Sequence, residues 1–338
     1  HYFLGIAAMA QMFSMFGNPT ALTVYCAKKE KIQSTLFFLS IIPTIISSII
    51  IIVIFSRVDA SFLVIGYVVF QSVNSVILGK KFYRKYAKMI LIQKSLTVIL
   101  GVGFFYAFGP IGIIYALALT FIPHLTIFIK EFKEKKIDFS LLKPKKNFLI
   151  NNYFMTISGS FGGQIDKIIL APLLGFTLLG NYSLALQAIN IMMIISTVSY
   201  KYLLPQDATN TKNKNFKIWV IIISTIISLI GIFIGPFLIE NYFTEYTDSK
   251  IAIQIMSIAV IPGTISLILQ SEFLGNEKSK IVLIGNVFSL IALTISMIIL
   301  GLNFGIVGLA ISLIIANLSK MIIFLFFRNS WRETNAKS

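Results

Sequence analysis

Residues 147–206 read NFLINNYFMTISGSFGGQIDKIILAPLLGFTLLGNYSLALQAINIMMIISTVSYKYLLPQ. Two apolar runs in this stretch, 149–171 and 176–204, are each long enough to cross a bilayer, which takes about 20 residues. A Pro/Gly turn joins them. The first run contains an adjacent ion pair, Asp166–Lys167. An ionisable side chain inside a span is expensive, so it faces a partner or a wet cavity rather than lipid. Asn152, Thr156, Gly159, Gly163 and Asp166 recur at helical spacing and share one stripe of a helix, and Ser183, Gln187 and Asn190 do the same on the next. Two neighbouring spans with polar stripes predict a hydrated cavity between helices.

Composition agrees with a membrane protein. Mean hydropathy is +0.86, 57% of the 338 residues are hydrophobic and 12% are charged, against about 25% charged in a soluble domain. In a soluble chain the net charge of +16 would suggest nucleic acid. Here the basic residues sit in short loops between apolar spans and instead report orientation. The single cysteine, Cys26, cannot close an internal disulfide, and two histidines, His1 and His124, are too few for a metal centre, so neither cofactor nor metal is expected. The chain begins inside an apolar run, without a charged n-region or cleavage site, and reads as a fragment truncated at its N-terminus.

About eleven spans are expected: a partial 1–25, interrupted at Gly17-Asn18-Pro19, then 34–56, 60–79, 87–108, 110–130, 149–171, 176–204, 217–239, 250–272, 281–301 and 304–327. The loops test this assignment. Twenty-four Lys and Arg fall on alternate loops and the C-terminal tail, from Lys28 to Lys337. Only Arg57 and Lys250 fall on the intervening ones, beside Asp59, Glu240, Glu245 and Asp248. By the positive-inside rule the basic face and the tail are cytoplasmic, in a plasma or inner membrane.

The pattern also repeats. LGKKFYRKY (78–86) and LGNEKSKIV (274–282) each connect two spans on the basic side. At the same offset of 196 residues, FGPIG (108–112) matches FGIVG (304–308) at a turn on the other side. Two halves of six helices related by an axis along the membrane normal form a known transporter plan. On that register, one helix and its lead-in are missing before His1. The expected division is an N-terminal lobe 1–130, a Lys-rich linker 131–147, a C-terminal lobe 148–327 and a tail 328–338. The linker is expected to carry a short amphipathic helix on the anionic leaflet, or to be a plain solvated tether.

No GxxxxGK[ST], nucleophile elbow, HExxH or CxxC cluster occurs, and the loops on the acidic side are too short for a catalytic lobe, so nothing positive supports an enzyme. Polar stripes recur in the first half, with Gln11, Ser14 and Asn18 on one helix and Tyr67, Gln71 and Asn74 on another. For any single amide, inter-helix packing is the competing reading. Lys94 and Lys320 lie close enough to the basic surface to snorkel. His124, after Pro123, either relays protons or packs. Asp166–Lys167 lies about 27 Å along its helix from Phe148. The pair is either a functional cavity group or a self-neutralising pair near the outer interface.

The run QIDKIILAPLLGFTLLGNYSLALQ, with LLPQ closing the next span, resembles the seventh and eighth helices of polysaccharide flippases, the exporters of O-antigen and other lipid-linked oligosaccharides. These belong to the multidrug/oligosaccharidyl-lipid/polysaccharide exporter superfamily. Asp166 and Lys167, Leu173-Leu174-Gly175, Gly180, Tyr182 and Ser183 carry the likeness, together with the closing FGxxG pair. The resemblance implies an all-α, MATE-like pair of six-helix lobes with alternating access. It would move a polyprenyl-diphosphate-linked glycan across the membrane, in lipopolysaccharide or other polysaccharide biosynthesis, in partnership with membrane lipid and glycan polymerase or assembly proteins. Asp166 would be the coupling or gating carboxylate. Lys167, Asn152, Gln187, Asn190, Gln71, Asn74, Gln11 and Lys94 would line the substrate cavity. The alternative is a multidrug or cation antiporter of the same fold, which predicts more cavity carboxylates. A non-transporting scaffold for glycan assembly is a third reading.

Overall fold

The computed structural model describes residues 2–134, 136–162 and 175–337, and every regular element among them is helical. The chain forms two compact units, His1–Thr156 and Ile157–Ser338. The first holds α1 (Tyr2–Met15), α2 (Asn18–Ala27), α3 (Gln33–Phe55), α4 (Val58–Gly79), α5 (Tyr83–Leu119) and α6 (Ile122–Lys133), with the start of α7 (Lys146–Gly162).

Its axis is α4, which packs against α1, α2, α3, α5 and α6. Small residues make this possible, because apolar helices in lipid are held by close packing rather than by exclusion of water. Ala60, Ser61, Gly66, Ser72, Ser75 and Gly79 are all buried. At Gly79 an added Cβ would lie 2.6 Å from the Cys26 Cβ and 2.7 Å from the Thr23 carbonyl oxygen, so α2 and α4 touch backbone to backbone there. The Phe121 ring closes this core against Tyr67 and Phe70, with centroids 5.5 and 5.2 Å away. In contrast, α5 buries little and leaves side chains such as Leu91, Val98, Val102 and Phe108 facing outward, as lipid contact requires.

The second unit continues with α8 (Phe176–Met192), α9 (Ile194–Asp207), α10 (Lys214–Phe233), α11 (Gly235–Tyr242), α12 (Ser249–Ser257), α13 (Val260–Gly275) and α14 (Ser279–Lys337). Here α13 is the axis, against α9, α10 and α14. At Gly275 an added Cβ would lie 2.7 Å from the Ala208 nitrogen. A core of Tyr182, Ala185 and Ile189 from α8, Ile253 and Met256 from α12, and Met297 and Leu309 from α14 fills the opposite end.

The 196-residue register holds in the backbone. Gly109 (φ 66°, ψ −158°) and Gly305 (φ 55°, ψ −131°) interrupt α5 and α14 at matching places, in a region open essentially only to glycine. Gly112 and Gly308 then lie directly against the carbonyls of Phe104 and Leu300, eight residues earlier. In a continuous helix, residues eight apart are about 12 Å distant, so the chain folds back on itself at each glycine. Lys81 and Glu277 share φ 59° at the basic-side turns.

Several expected spans are broken rather than continuous. The run 1–25 divides into α1 and α2 at Phe16 and Gly17, both at positive φ. The run 110–130 breaks at Thr120–Phe121, 176–204 at Met193, 217–239 at Ile234 and 250–272 at Ile258–Ala259. Pro19, Pro123 and Pro236 sit in the first turn of the helix that follows a break, where a missing N–H costs nothing and the fixed φ favours a fresh start. The α8–α9 and α12–α13 bends are 45° and 44°. Among the described residues, five helical stretches are long and apolar enough to cross a membrane, or seven if each bent pair is one span; the stretches through Gly109 and Gly305 each count once. The chain is a multi-pass membrane protein. The run 149–171 is described only as far as Gly162.

The short helix expected in the linker is a 3-10 turn, Phe139–Lys145, and it is tied to the first unit. Asp138 donates its N–H to Thr35 Oγ1 at 3.0 Å and accepts from Ser140 N at 2.9 Å. Lys145 pairs with Glu30 at 2.5 Å and lies 3.9 Å over the Tyr25 ring. These contacts make it an anchored segment rather than a free tether.

Candidate functional site

In the first unit the break at Gly17 separates the expected stripe Gln11–Ser14–Asn18. Gln11 is half-buried on α1, and Ser14 is buried, donating to Ala10 O at 2.8 Å and lying 3.2 Å from Ser47 Oγ. Asn18 belongs to α2. Its amide donates to Leu36 O at 2.7 Å and to Ser40 Oγ at 2.5 Å, which ties α2 to α3. On α4, which is unbroken here, the expected stripe keeps one face but differs in burial along it, with Tyr67 half-buried, Gln71 exposed and Asn74 buried. Asn152 on α7 is buried and donates back to Phe148 O at 2.7 Å. Thr156 donates to Asn152 O at 2.9 Å. Lys94 is exposed. His124 is buried against the Phe70 ring, 4.9 Å between centroids, and neither ring nitrogen has a hydrogen-bond partner among the described residues. A cavity of about 710 Å³ in this unit is walled by Phe62, Val69, Phe104, Tyr115, Phe121 and Leu125 and their apolar neighbours. It has the chemistry of a lipid-facing recess, not of a polar binding site.

In the second unit, Asp166 and Lys167 lie outside the described residues. Gln187 and Asn190 on α8 are both exposed and keep the shared face that the spacing predicts. The buried hydroxyls tie helices together. Ser196 lies 2.7 Å from Thr264 and 3.1 Å from Ser224, joining α9, α13 and α10, and Ser228 donates to Ser257 O at 2.7 Å. Bonds of this kind are worth about 0.6 kcal/mol each in membranes, so they are glue.

The side chain whose setting the spacing alone did not reveal is Lys320. It does not snorkel. Its ammonium donates to Gln270 Oε1 at 3.1 Å and sits 5.6 Å from the Phe324 ring centroid, while Gln270 also interacts with Tyr200. Lys320 and Gln270 are 50 residues apart, and only the pairing of α13 with α14 unites them.

Each unit also closes its basic end with ion pairs. Lys80 contacts Glu131 at 2.6 Å and Glu134 at 3.5 Å. Burial alone would lower the Lys80 pKa, but the adjoining Glu131 carboxylate outweighs it and holds the ammonium above the usual lysine value. In the second unit Lys217 contacts Asp207 at 2.8 Å and Glu272 at 3.9 Å, and Arg328 contacts Glu272 at 3.2 Å. Ser271 donates to Asp207 at 2.6 Å, so the network spans α9, α10, α13 and α14.

No family model matches the chain, and no curated protein matches it in sequence. Solved structures do match its fold. The outward-facing structure of a multidrug resistance MATE family transporter of the MOP superfamily superposes with a TM-score of 0.82 at 14% identity, covering 100% of this chain and 87% of that one. The chain has the MATE fold. A crystal structure of MATE in the straight conformation gives 0.80 at 13% identity, covering 100% and 87%. A MOP superfamily transporter from Pyrococcus furiosus, described as having a binding pocket of reverse polarity that suggests a different function, gives 0.74 at 14% identity, covering 99% and 87%. At these identities the MATE fold is what the matches establish.

Proposed function

We propose that the chain is an exporter that moves a lipid-linked oligosaccharide, carried on a polyprenyl diphosphate, across the cytoplasmic membrane by alternating access. The observation that carries this reading is the charge inside the spans. On the spans read from the sequence, Lys94, Lys167 and Lys320 are the cations and Asp166 is the one acid; the remaining twelve acids fall in loops, in the tail or near span ends. Spans with more cations than carboxylates suit a diphosphate and acidic sugars better than a cationic drug. Asp166 would act as the coupling or gating carboxylate, and Lys167 as a cation for phosphate or sugar. Gln187 and Asn190, exposed on α8, would meet glycan, and the basic loops would face the cytoplasm.

The second reading, a multidrug or cation antiporter, is favoured by the multidrug resistance transporter that shares this fold. One experiment separates the two. The protein is expressed in a flippase-deficient host, and surface glycan and drug efflux are both measured. Restored glycan that is lost in Asp166→Asn, at equal membrane levels, supports the exporter reading. Efflux without glycan supports the antiporter.

A further inference from the structure

We propose that the second unit carries a binding site for an anionic phospholipid at its basic end, in the cavity enclosed by the α9–α10 loop, α10, α13 and the end of α14. The cavity holds about 690 Å³, within the usual range of about 300–1,000 Å³ for small-molecule sites. It is two-sided in chemistry. Ile218, Ile221, Ile265 and Ile268, with Leu269 and Leu325, form its walls, while Lys212, Lys214, Lys217 and Arg328 supply positive charge.

The cations are not equivalent. Lys217 and Arg328 are engaged by Asp207 and Glu272, the two acids that line the cavity among the described residues. Lys212 and Lys214 are exposed and have no carboxylate partner among the described residues. Two positive charges at the rim are therefore left over. The first turn of α10 adds to them. The Asn213 side chain does not cap it but donates to Thr211 O at 3.3 Å, so the leading N–H groups of α10 remain open to an anion.

Position selects the occupant. Lys214 opens α10, an apolar helix of 20 residues whose spanning window is only 22% buried by protein. The rim therefore lies at the membrane surface, and the isoleucine walls run down into hydrocarbon. A free phosphate would satisfy the rim and leave the walls uncovered. A diacyl lipid with an anionic phosphate satisfies both, and juxtamembrane lysines attract such headgroups. The equivalent loop of the first unit offers a matched control. Lys29 and Lys31 correspond in position to Asn210 and Lys212, with Lys29 and Asn210 both at positive φ.

The test is native mass spectrometry of the purified full chain in detergent, titrated separately with phosphatidylglycerol, phosphatidylcholine and glycerol 3-phosphate. Wild type is expected to retain phosphatidylglycerol in preference to phosphatidylcholine, with no competition from glycerol 3-phosphate. Lys212→Gln with Lys214→Gln is expected to weaken phosphatidylglycerol binding about thirtyfold, taking each surface cation at its usual strength. Lys29→Gln with Lys31→Gln, the same change in net charge, should alter it less than about threefold. Equal retention of both lipids, full competition by glycerol 3-phosphate, or equal effects of the two double variants would each overturn the proposal. The lipid and competition arms use wild type alone, so the outcome does not depend on how a variant folds.

Discussion

The two units share a backbone plan and oppose each other in charge. In the first, the central helix presents the cation, Lys80, to an acid on the unit's last helix, Glu131. In the second, the central helix presents the acid, Glu272, to a cation on the last helix, Arg328. Among the described residues the first link stays local, adding Glu134 at 3.5 Å. The second extends through Lys217 to Asp207, whose side chain is 6% exposed, and on to Ser271. At the same close helix contact, Gly79 meets Cys26 in one unit and Gly275 meets Asp207 in the other. The repeat therefore preserves where helices touch and leaves open what the contact is made of.

The largest expected break in this comparison is Lys217→Ala. It strands the buried Asp207 carboxylate and should cost about 3–5 kcal/mol, whereas Lys80→Ala, at a more open pair, should cost about 1 kcal/mol. Unfolding in detergent followed by fluorescence measures both, and Asp207→Asn should restore part of the Lys217→Ala loss. Equal costs for the two lysine variants would mean that the wider network adds nothing.

Next come the shared contacts. Gly79→Ala and Gly275→Ala each force a Cβ onto backbone and should lose about 1–3 kcal/mol, while Gly101→Ala, with open space around it, should lose nothing. Monodisperse yield in size-exclusion chromatography reports this, and a loss in only one unit would show that the repeat is not used equally. The turns form a third pair. Gly109→Ala and Gly305→Ala should each cost about 1–3 kcal/mol, with matching changes in melting temperature, because both glycines occupy a region that alanine avoids. The smallest effect belongs to Thr264→Val, about 0.6 kcal/mol from one inter-helix hydroxyl bond, measurable in the same unfolding assay. A loss several times larger would make the Ser196–Thr264–Ser224 cluster a structural centre of the second unit.

Much of the architecture was legible because lipid imposes a simple rule on sequence: long apolar runs, with charge confined to the ends. The glycine turns at 109 and 305 could be read for the same reason, as the one repeated interruption in those runs. The breaks within spans were harder. A proline such as Pro236 is compatible with a kink, a stop or a fresh start, and packing in three dimensions decides between them. Stripe reasoning failed at Asn18 because it assumes one continuous helix, and Gly17 ends that helix. It held for Gln187 and Asn190, on an unbroken stretch of α8. The setting of Lys320 depends on a partner 50 residues away, which no local pattern reveals. Asp207 did leave a trace, as the one acid in a loop otherwise marked by Lys201, Lys212, Lys214 and Lys217.

The glycine turns also bear on how the protein meets its surroundings. At Gly109 and Gly305 one helix gives way to the next with no intervening loop. A protease needs several residues of extended chain to cut, and an antibody needs a raised segment to grip; neither turn offers one. At these two places the face opposite the lysines is closed to both, and an epitope tag inserted there would split a helical hairpin rather than lengthen a loop.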